Sequence, residues 1–482
     1  MYLGLDLGTS GLKGMLIDSQ GRNIGFANAP LTVERPNEGW SEQNPERWIT
    51  AAKAVFNQLT RDFPVEMGAL HGIGLSGQMH GATLIDRMGQ PLRPCILWND
   101  TRSFDEAAAL DAQPGFREIS GNIVFPGFTA PKLMWVKHHE PEIFENINKV
   151  LLPKDYLRLW LTGETISDMS DSAGTSWLNV ETRDWSDALL RASQMTRAQM
   201  PTLVEGNAEG GILRDVLADL WGLPKGIIVA GGAGDNAASA IGMGVIKAGQ
   251  AFLSLGTSGV VFAANDSYLP NPESAVHTFC HALPDRWHQM GVILSAVDSL
   301  GWYGKITGKS PEALTTTLGD SLRPPGNAMF LPYLGGERTP HNDAKIRGSF
   351  LGLSHNDTRE SLTRAVIEGV GFAFADNLAA LHRAGTNIER VLAVGGGAQS
   401  RYWLKAIATI LDIPVDIPVA GDFGAALGAA RLGLMAATKA AANDVCTPPQ
   451  IAETILPVTE MTAPFHAKYQ HFKSAYPAPK GH

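Results

Sequence analysis

The string Leu7-Gly8-Thr9-Ser10-Gly11 returns letter for letter as Leu255-Gly256-Thr257-Ser258-Gly259, about half a chain length further on. Each copy follows a short apolar run, Tyr2-Leu3-Gly4-Leu5 or Ala251-Phe252-Leu253, and leads into another, Leu12 to Ile17 or Val260-Val261-Phe262-Ala263. An apolar run, a turn of Gly, Thr and Ser, and a second apolar run spell a β-hairpin. Two such hairpins half a chain apart predict two similarly built halves, each opening on strand, turn and strand. The alternative is two unrelated hairpins that share a turn type.

The remainder of each half alternates strand-like and helix-like patterns. Leu70 to Leu75, Gly226 to Ala230 and Val391 to Val394 are short apolar runs bounded by glycine, as in buried strands. Pro45 to Leu59, Asp187 to Ala198 and Glu360 to Leu381 read as helices. This is an α/β pattern. At 482 residues the chain is long enough for two large domains, and we divide it into 1–247 and 248–482, just before the second hairpin. Thirty-nine basic against 48 acidic side chains leave a net charge of -9, which argues against nucleic acid as a partner. Three widely spaced cysteines, Cys95, Cys280 and Cys446, suit a reducing compartment, so a cytoplasmic protein is expected. The most apolar long stretch, Gly226 to Ala264, is broken by Asp235, Lys247 and Gln250, so no membrane span is expected. The last forty residues show no chemistry.

Turns of Gly, Thr and Ser expose backbone N–H groups and hydroxyls, a donor set that suits phosphate oxygens. Gly8, Thr9 and Ser10 with Gly256, Thr257 and Ser258 could hold one polyphosphate from two sides. Asp6 precedes the first turn where the second has Ser254. A carboxylate beside phosphate implies an intervening cation, so Asp6 marks an Mg²⁺ position, unless it only caps the strand end. Lys13 would offset phosphate charge. Asp235 lies in Gly231-Gly232-Ala233-Gly234-Asp235-Asn236 after a strand, where glycines let another molecule approach. It could take a proton from an attacking hydroxyl. The alternatives are an Asx turn or a dinucleotide fingerprint, the latter lacking any acid from Ala238 to Asn265. Gln78 and His80, in Ser76-Gly77-Gln78-Met79-His80-Gly81, could meet a ligand rich in hydroxyls or belong to an ordinary loop. Gly395-Gly396-Gly397 clears space for a flat purine. Gly304 to Ser310 ends like a P-loop but has three residues between its glycines instead of four. His277-x-x-Cys280-His281 has metal-like letters but no second ligand cluster, and reads as buried packing. Trp98-Asn99-Asp100 either lines a pocket or closes a turn.

Taken together these stretches, with Phe128 to Trp135, Leu151 to Arg158 and Gly335 to His341, resemble the FGGY carbohydrate kinases of the actin-like ATPase superfamily. The Gln78-Met79-His80-Gly81 run is similar to that of the branch acting on xylulose. The resemblance implies two actin-like (ribonuclease H-like) domains with a cleft between them. It also implies ATP and Mg²⁺ as cofactors, phosphorylation of D-xylulose, a first domain for sugar and a second for nucleotide, and a homodimer. By the same resemblance Asp235 is the base, and Asp6 and Asp235 face Mg²⁺. Met79, His80 and Asn236 contact sugar, and Gly396 and Gly397 border adenine. Two positions depart from the family patterns, His138 and Ser361.

Overall fold

The structure, a computed structural model, describes residues 1–419 and 424–476. Strand β1 (Tyr2–Leu7) turns into β2 (Gly11–Ile17), which pairs with β3 (Asn23–Pro30). Helix α1 (Pro45–Asp62) begins where the Asn44 side chain accepts from Glu46 N–H and Pro45 sets the first turn. Its buried face, Trp48, Ala52, Val55, Phe56 and Leu59, follows helical spacing and covers β2 and β3. The chain then enters β4 (Gly72–Gly77), parallel to β1. Helix α2 (Thr129–His139) follows, then β5 (Glu209–Ile212), β6 (Ile228–Ala230), β7 (Ala233–Gly234) and helix α3 (Asp235–Met243). The first sheet runs β5-β6-β4-β1-β2-β3, with β7 also on β4.

The second half repeats this wiring. Strands β8 (Ala251–Leu255) and β9 (Gly259–Asn265) form its hairpin, joined by β10 (His277–Cys280) and β11 (Trp287–Ile293). Helices α4 (Val297–Thr307) and α5 (Arg359–Arg383) lead to β12 (Val391–Val394), parallel to β8. Helix α6 (Arg401–Leu411), β13 (Val415–Pro418), helix α7 (Ala425–Thr438), β14 (Ile451–Ile455) and helix α8 (Thr459–Ala475) complete it. The order is β10-β11-β9-β8-β12-β13-β14. In both sheets the leading strand pairs antiparallel with its hairpin partner and parallel with a later strand that follows a helix. The repeated string therefore marks equivalent places in two sheets.

Several local features explain themselves. Ser361, the departure noted above, sits three residues after the N-cap Thr358, accepts from Thr358 N–H, and completes a capping box usually closed by an acid or amide. The helix expected over Asp187 to Ala198 stops at Ala192, since Gln194 takes the left-handed backbone (φ 60). Phe465 and Phe472 of α8 fill the second half's core, so the last described residues are structural. Helix α7 leaves the second sheet and lies against β1, β4 and α3 of the first. Among the described residues no helix is long and apolar enough to cross a membrane.

Candidate functional site

Asp235 opens α3 directly after β7, the short strand alongside the C-terminal end of β4. Its Oδ1 accepts from the Asn236 N–H at 2.7 Å and from Asn236 Nδ2 at 2.9 Å. Burial, and secondarily the nearby Asp6 carboxylate, push its carboxyl up to about 7, against the smaller opposing effect of those two donors. Asp6 sits near the end of β1 and accepts from Ser76 Oγ at 3.1 Å. Lys13 is its cross-strand partner on β2, on the same face of the sheet, and is exposed. Two carboxylates, one ready to carry a proton near neutral pH, thus lie near one another where β1 and β4 end, with one exposed amine across from Asp6.

Met79 and His80 follow β4. Met79 is buried behind Gly234, where an added Cβ would lie 2.9 Å from its Sδ. His80 has a left-handed backbone (φ 67), its Nδ1 lies 2.7 Å from the Gly174 carbonyl, and its ring stacks on Phe128 at 4.5 Å. Burial drops its pKa to about 3, so the imidazole is neutral. Of the two readings of Gln78, its contacts favour the one in which it belongs to the loop. It is 2% exposed, and its amide accepts from Thr9 Oγ1 and donates to Gln43 Oε1, both at 3.0 Å.

The first turn is held by side chains rather than standing free. Thr9 Oγ1 donates to Gln78 and accepts from the indole of Trp98 at 3.0 Å, while Gln43 Nε2 donates to the Thr9 carbonyl at 2.7 Å. The Thr9 hydroxyl is thereby committed to protein and the Gly8 N–H to the Gly11 carbonyl at 2.9 Å, so the N–H groups of Thr9 and Ser10 and the exposed Ser10 side chain are what the turn offers to an anion. Trp98 and Asp100 divide the two readings of their run. Trp98 is 47% exposed beside the turn, and buried Asp100 accepts from Ser41 N–H and pairs with Arg102.

At the second turn the Gly256 and Thr257 carbonyls accept from Val297 and Ala296 N–H groups, both at 2.9 Å, which ties the turn to the start of α4. Thr257 and Ser258 are exposed. Val297 also lines a cavity of about 700 Å³ whose wall includes Gly396, Gly397, Leu300 and Tyr402. A Cβ on Gly397 would lie 2.5 Å from the Leu255 side chain, whereas one on Gly396 would meet nothing within 4 Å. The residues of α4 and the segment Ser310–Asp320 that line it escaped the sequence reading. Ser310, the end of the P-loop-like string, caps the helix Pro311–Thr316 at the cavity's rim. The signal was the apolar side of a helix next to a glycine run, which looks like ordinary core.

Sequence reasoning also missed one group that reaches the His80 region from the second half. Arg338 lies over Phe125 at 4.7 Å and donates to His277 Nε2 at 3.1 Å, and its charge helps keep His80 neutral. His277 and Cys280 are buried, as the packing reading expected, and among the described residues no three potential ligands gather for a metal. Phe125, Phe128, Phe279 and Met290 form part of one core shared by both halves.

Comparison with known proteins places this arrangement. The N-terminal domain profile of the FGGY family of carbohydrate kinases matches residues 1–242, and its C-terminal domain profile matches residues 251–437. A xylulose kinase of Escherichia coli (strain K12) is 48% identical over 479 residues, 99% of this chain and 98% of that one. The crystal structure of a protein described as a xyloylose kinase from Brucella ovis superimposes with a TM-score of 0.98 at 61% identity, covering 99% and 98% of the two chains. A xylulose kinase structure from Rhodospirillum rubrum gives a TM-score of 0.92 at 28% identity, over 98% of each chain.

Proposed function

Because the chain belongs to the FGGY family of carbohydrate kinases, we propose that it transfers the γ-phosphoryl group of ATP to the terminal hydroxyl of D-xylulose, giving D-xylulose 5-phosphate. The names borne by relatives at 48% and 61% identity support the sugar. One observation carries the chemistry: a partly exposed carboxylic acid, Asp235, set at about pKa 7 beside a second acid and next to the His80 loop.

In this reading the sugar lies against His80 and Asn236 with its terminal hydroxyl on Asp235. The carboxylate accepts the hydroxyl proton as the oxygen attacks phosphorus, and general-base help of this kind contributes about 10²–10⁴-fold. Neutral His80 spends its Nδ1–H on the Gly174 carbonyl and so presents Nε2 as an acceptor for a sugar hydroxyl, without placing a charge there. The backbone N–H groups of Thr9, Ser10 and Gly256–Ser258, with Lys13 and with Gly8 leaving room for close approach, suit phosphate oxygens, and the cavity at Gly396 and Gly397 has the size for the nucleoside. Positioning the attacking oxygen against phosphorus then does most of the work.

Mg²⁺ fits this setting, because the Asp6 charge raises Asp235 and a cation between acid and phosphate would relieve that repulsion. One or two carboxylates plus phosphate oxygens and water make an ordinary Mg²⁺ site. Asp6 would hold the ion, with Asp235 facing it, and when bound it would neutralise charge on the phosphates. Asp6→Asn should raise the Mg²⁺ concentration for half-maximal rate by about 10-fold; an unchanged titration would remove Asp6 from this role. The three cysteines are free and buried, which supports a reducing, cytoplasmic setting.

Substitution at Gly396 tests the nucleotide side. Its added side chain projects into open space at the cavity wall, so Gly396→Leu should raise the KM for ATP by about 10-fold and leave the sugar KM unchanged. Equal KM values for ATP in the two proteins would place the nucleotide elsewhere. A panel of ketoses in one coupled ATP assay tests the function itself. D-xylulose should give the highest kcat/KM. A higher value for ribulose or fuculose would reassign the sugar, and ATP hydrolysis indifferent to every sugar would refute a kinase.

A further inference from the structure

Lys132, on the first turns of α2, is fully buried. Its Nζ donates to the His80 carbonyl at 2.9 Å and to the Gly127 carbonyl at 2.7 Å. Among the described residues no carboxylate lies within 4.0 Å of it. Burying an ammonium with only carbonyl partners is expensive, and a methionine of similar length would fill the same space without that penalty. Burial brings its pKa down to about 7, the expected response to such a site. The cost falls where the backbone is itself strained. His80 holds a left-handed conformation (φ 67) that non-glycine residues avoid. Its carbonyl receives a second donor from the same helix, Thr129 Oγ1 at 3.1 Å. The other ends of the residue are fixed as well, Nδ1 by Gly174 and the ring by Phe128.

We propose that Lys132 and Thr129 are positioning residues for sugar recognition: together they grip the His80 carbonyl, hold that residue in its strained backbone, and so aim the imidazole at the sugar. Lys132 extends the grip to Gly127, which packs so closely on the Trp98 carbonyl that an added Cβ would lie 2.2 Å from its oxygen. The proposal rests on the reading that His80 contacts sugar.

Steady-state kinetics of Lys132→Met, Thr129→Val and His80→Ala, with the sugar and ATP varied separately, test it. Lys132→Met should raise the sugar KM by about 10- to 100-fold and Thr129→Val by about 3- to 10-fold, the effects of losing a charged and a neutral donor to a buried carbonyl. The KM for ATP should stay within about twofold in both. A merely structural role would lower thermal stability and leave the sugar KM where it is, or move both KM values together, and either result overturns the proposal. If Lys132→Met does not fold, Thr129→Val decides alone, with an unchanged sugar KM refuting the grip. His80→Ala separates the two levels. If it raises the sugar KM while the donor variants do not, the grip is wrong and the sugar site stands; if it leaves the sugar KM unchanged, the site assignment itself fails.

Discussion

Asp235→Asn should lower kcat by about 10²–10⁴-fold and at the same time raise the thermal midpoint at neutral pH. The two effects have one cause. In the folded chain burial and Asp6 hold the Asp235 carboxyl at about 7, whereas in the unfolded chain it ionises near the usual value of about 4. The folded state therefore binds this proton more tightly. As pH rises between those two values the unfolded state loses its proton first, and stability falls. Asparagine carries no such charge, and its carbonyl can still accept from Asn236. We expect a gain of about 2–4 °C in thermal midpoint at about pH 8 that disappears by about pH 4. In the unsubstituted enzyme, kcat/KM for the sugar should climb about tenfold per pH unit below pH 7 and level off above it. A variant that loses stability in step with activity would make Asp235 a structural group. One that keeps near-normal turnover would end its role as base.

Local pattern carried much of this molecule and stopped where distant surfaces meet. The two hairpins, the strands ending at Gly77, Ala230 and Val394, and the long helix α5 are all legible, because their burial follows a period of two or 3.6 within a few residues. The acids were legible for a related reason: Asp6 and Asp235 each stand alone among glycines and apolar residues at a strand end, where packing offers no use for a charge. The two readings of Gln78 could not be separated from the letters alone, because two residues distant in sequence, Thr9 and Gln43, take its amide. Lys132 and Arg338 were invisible as neighbours of His80. One lies in an ordinary-looking helix, and the other reaches the site only because the loop before the Thr339–Pro340 bond folds over from the second half. The nucleotide-side cavity shows the same limit, since helix α4 supplies its wall with residues that any core would use.

The glycines of the first sheet hold the other large effect. Gly4 and Gly74, on neighbouring strands β1 and β4, stand in the sequence as members of apolar runs. Strand register puts them opposite one another, on one face. Helix α7 lies on that face at a distance that leaves no room for side chains: a Cβ on Gly74 would fall 1.7 Å from the Ala429 carbonyl oxygen, and one on Gly4 would fall 2.0 Å from that of Ala426. The helix contributes small residues in return, and a Cβ on Gly428 would fall 1.7 Å from the Ala238 carbonyl oxygen of α3. Every blocking atom is backbone, so no rotamer change relieves the clash, and the helix would have to retreat from β1, β4 and α3 together. Gly74→Ala should therefore cost more than about 3 kcal/mol, at or above the upper end of ordinary overpacking, and yield little folded protein. Gly301 provides the contrast. It lies within α4, and nothing would come within 4 Å of its Cβ, so Gly301→Ala should stabilise by about 0.5–1 kcal/mol through helix propensity alone. Chemical unfolding of both variants separates the explanations. If Gly74→Ala unfolds at the same denaturant concentration as the parent, α7 does not pack on the sheet as closely as described. If both alanines destabilise equally, chain flexibility rather than close approach is what glycine provides.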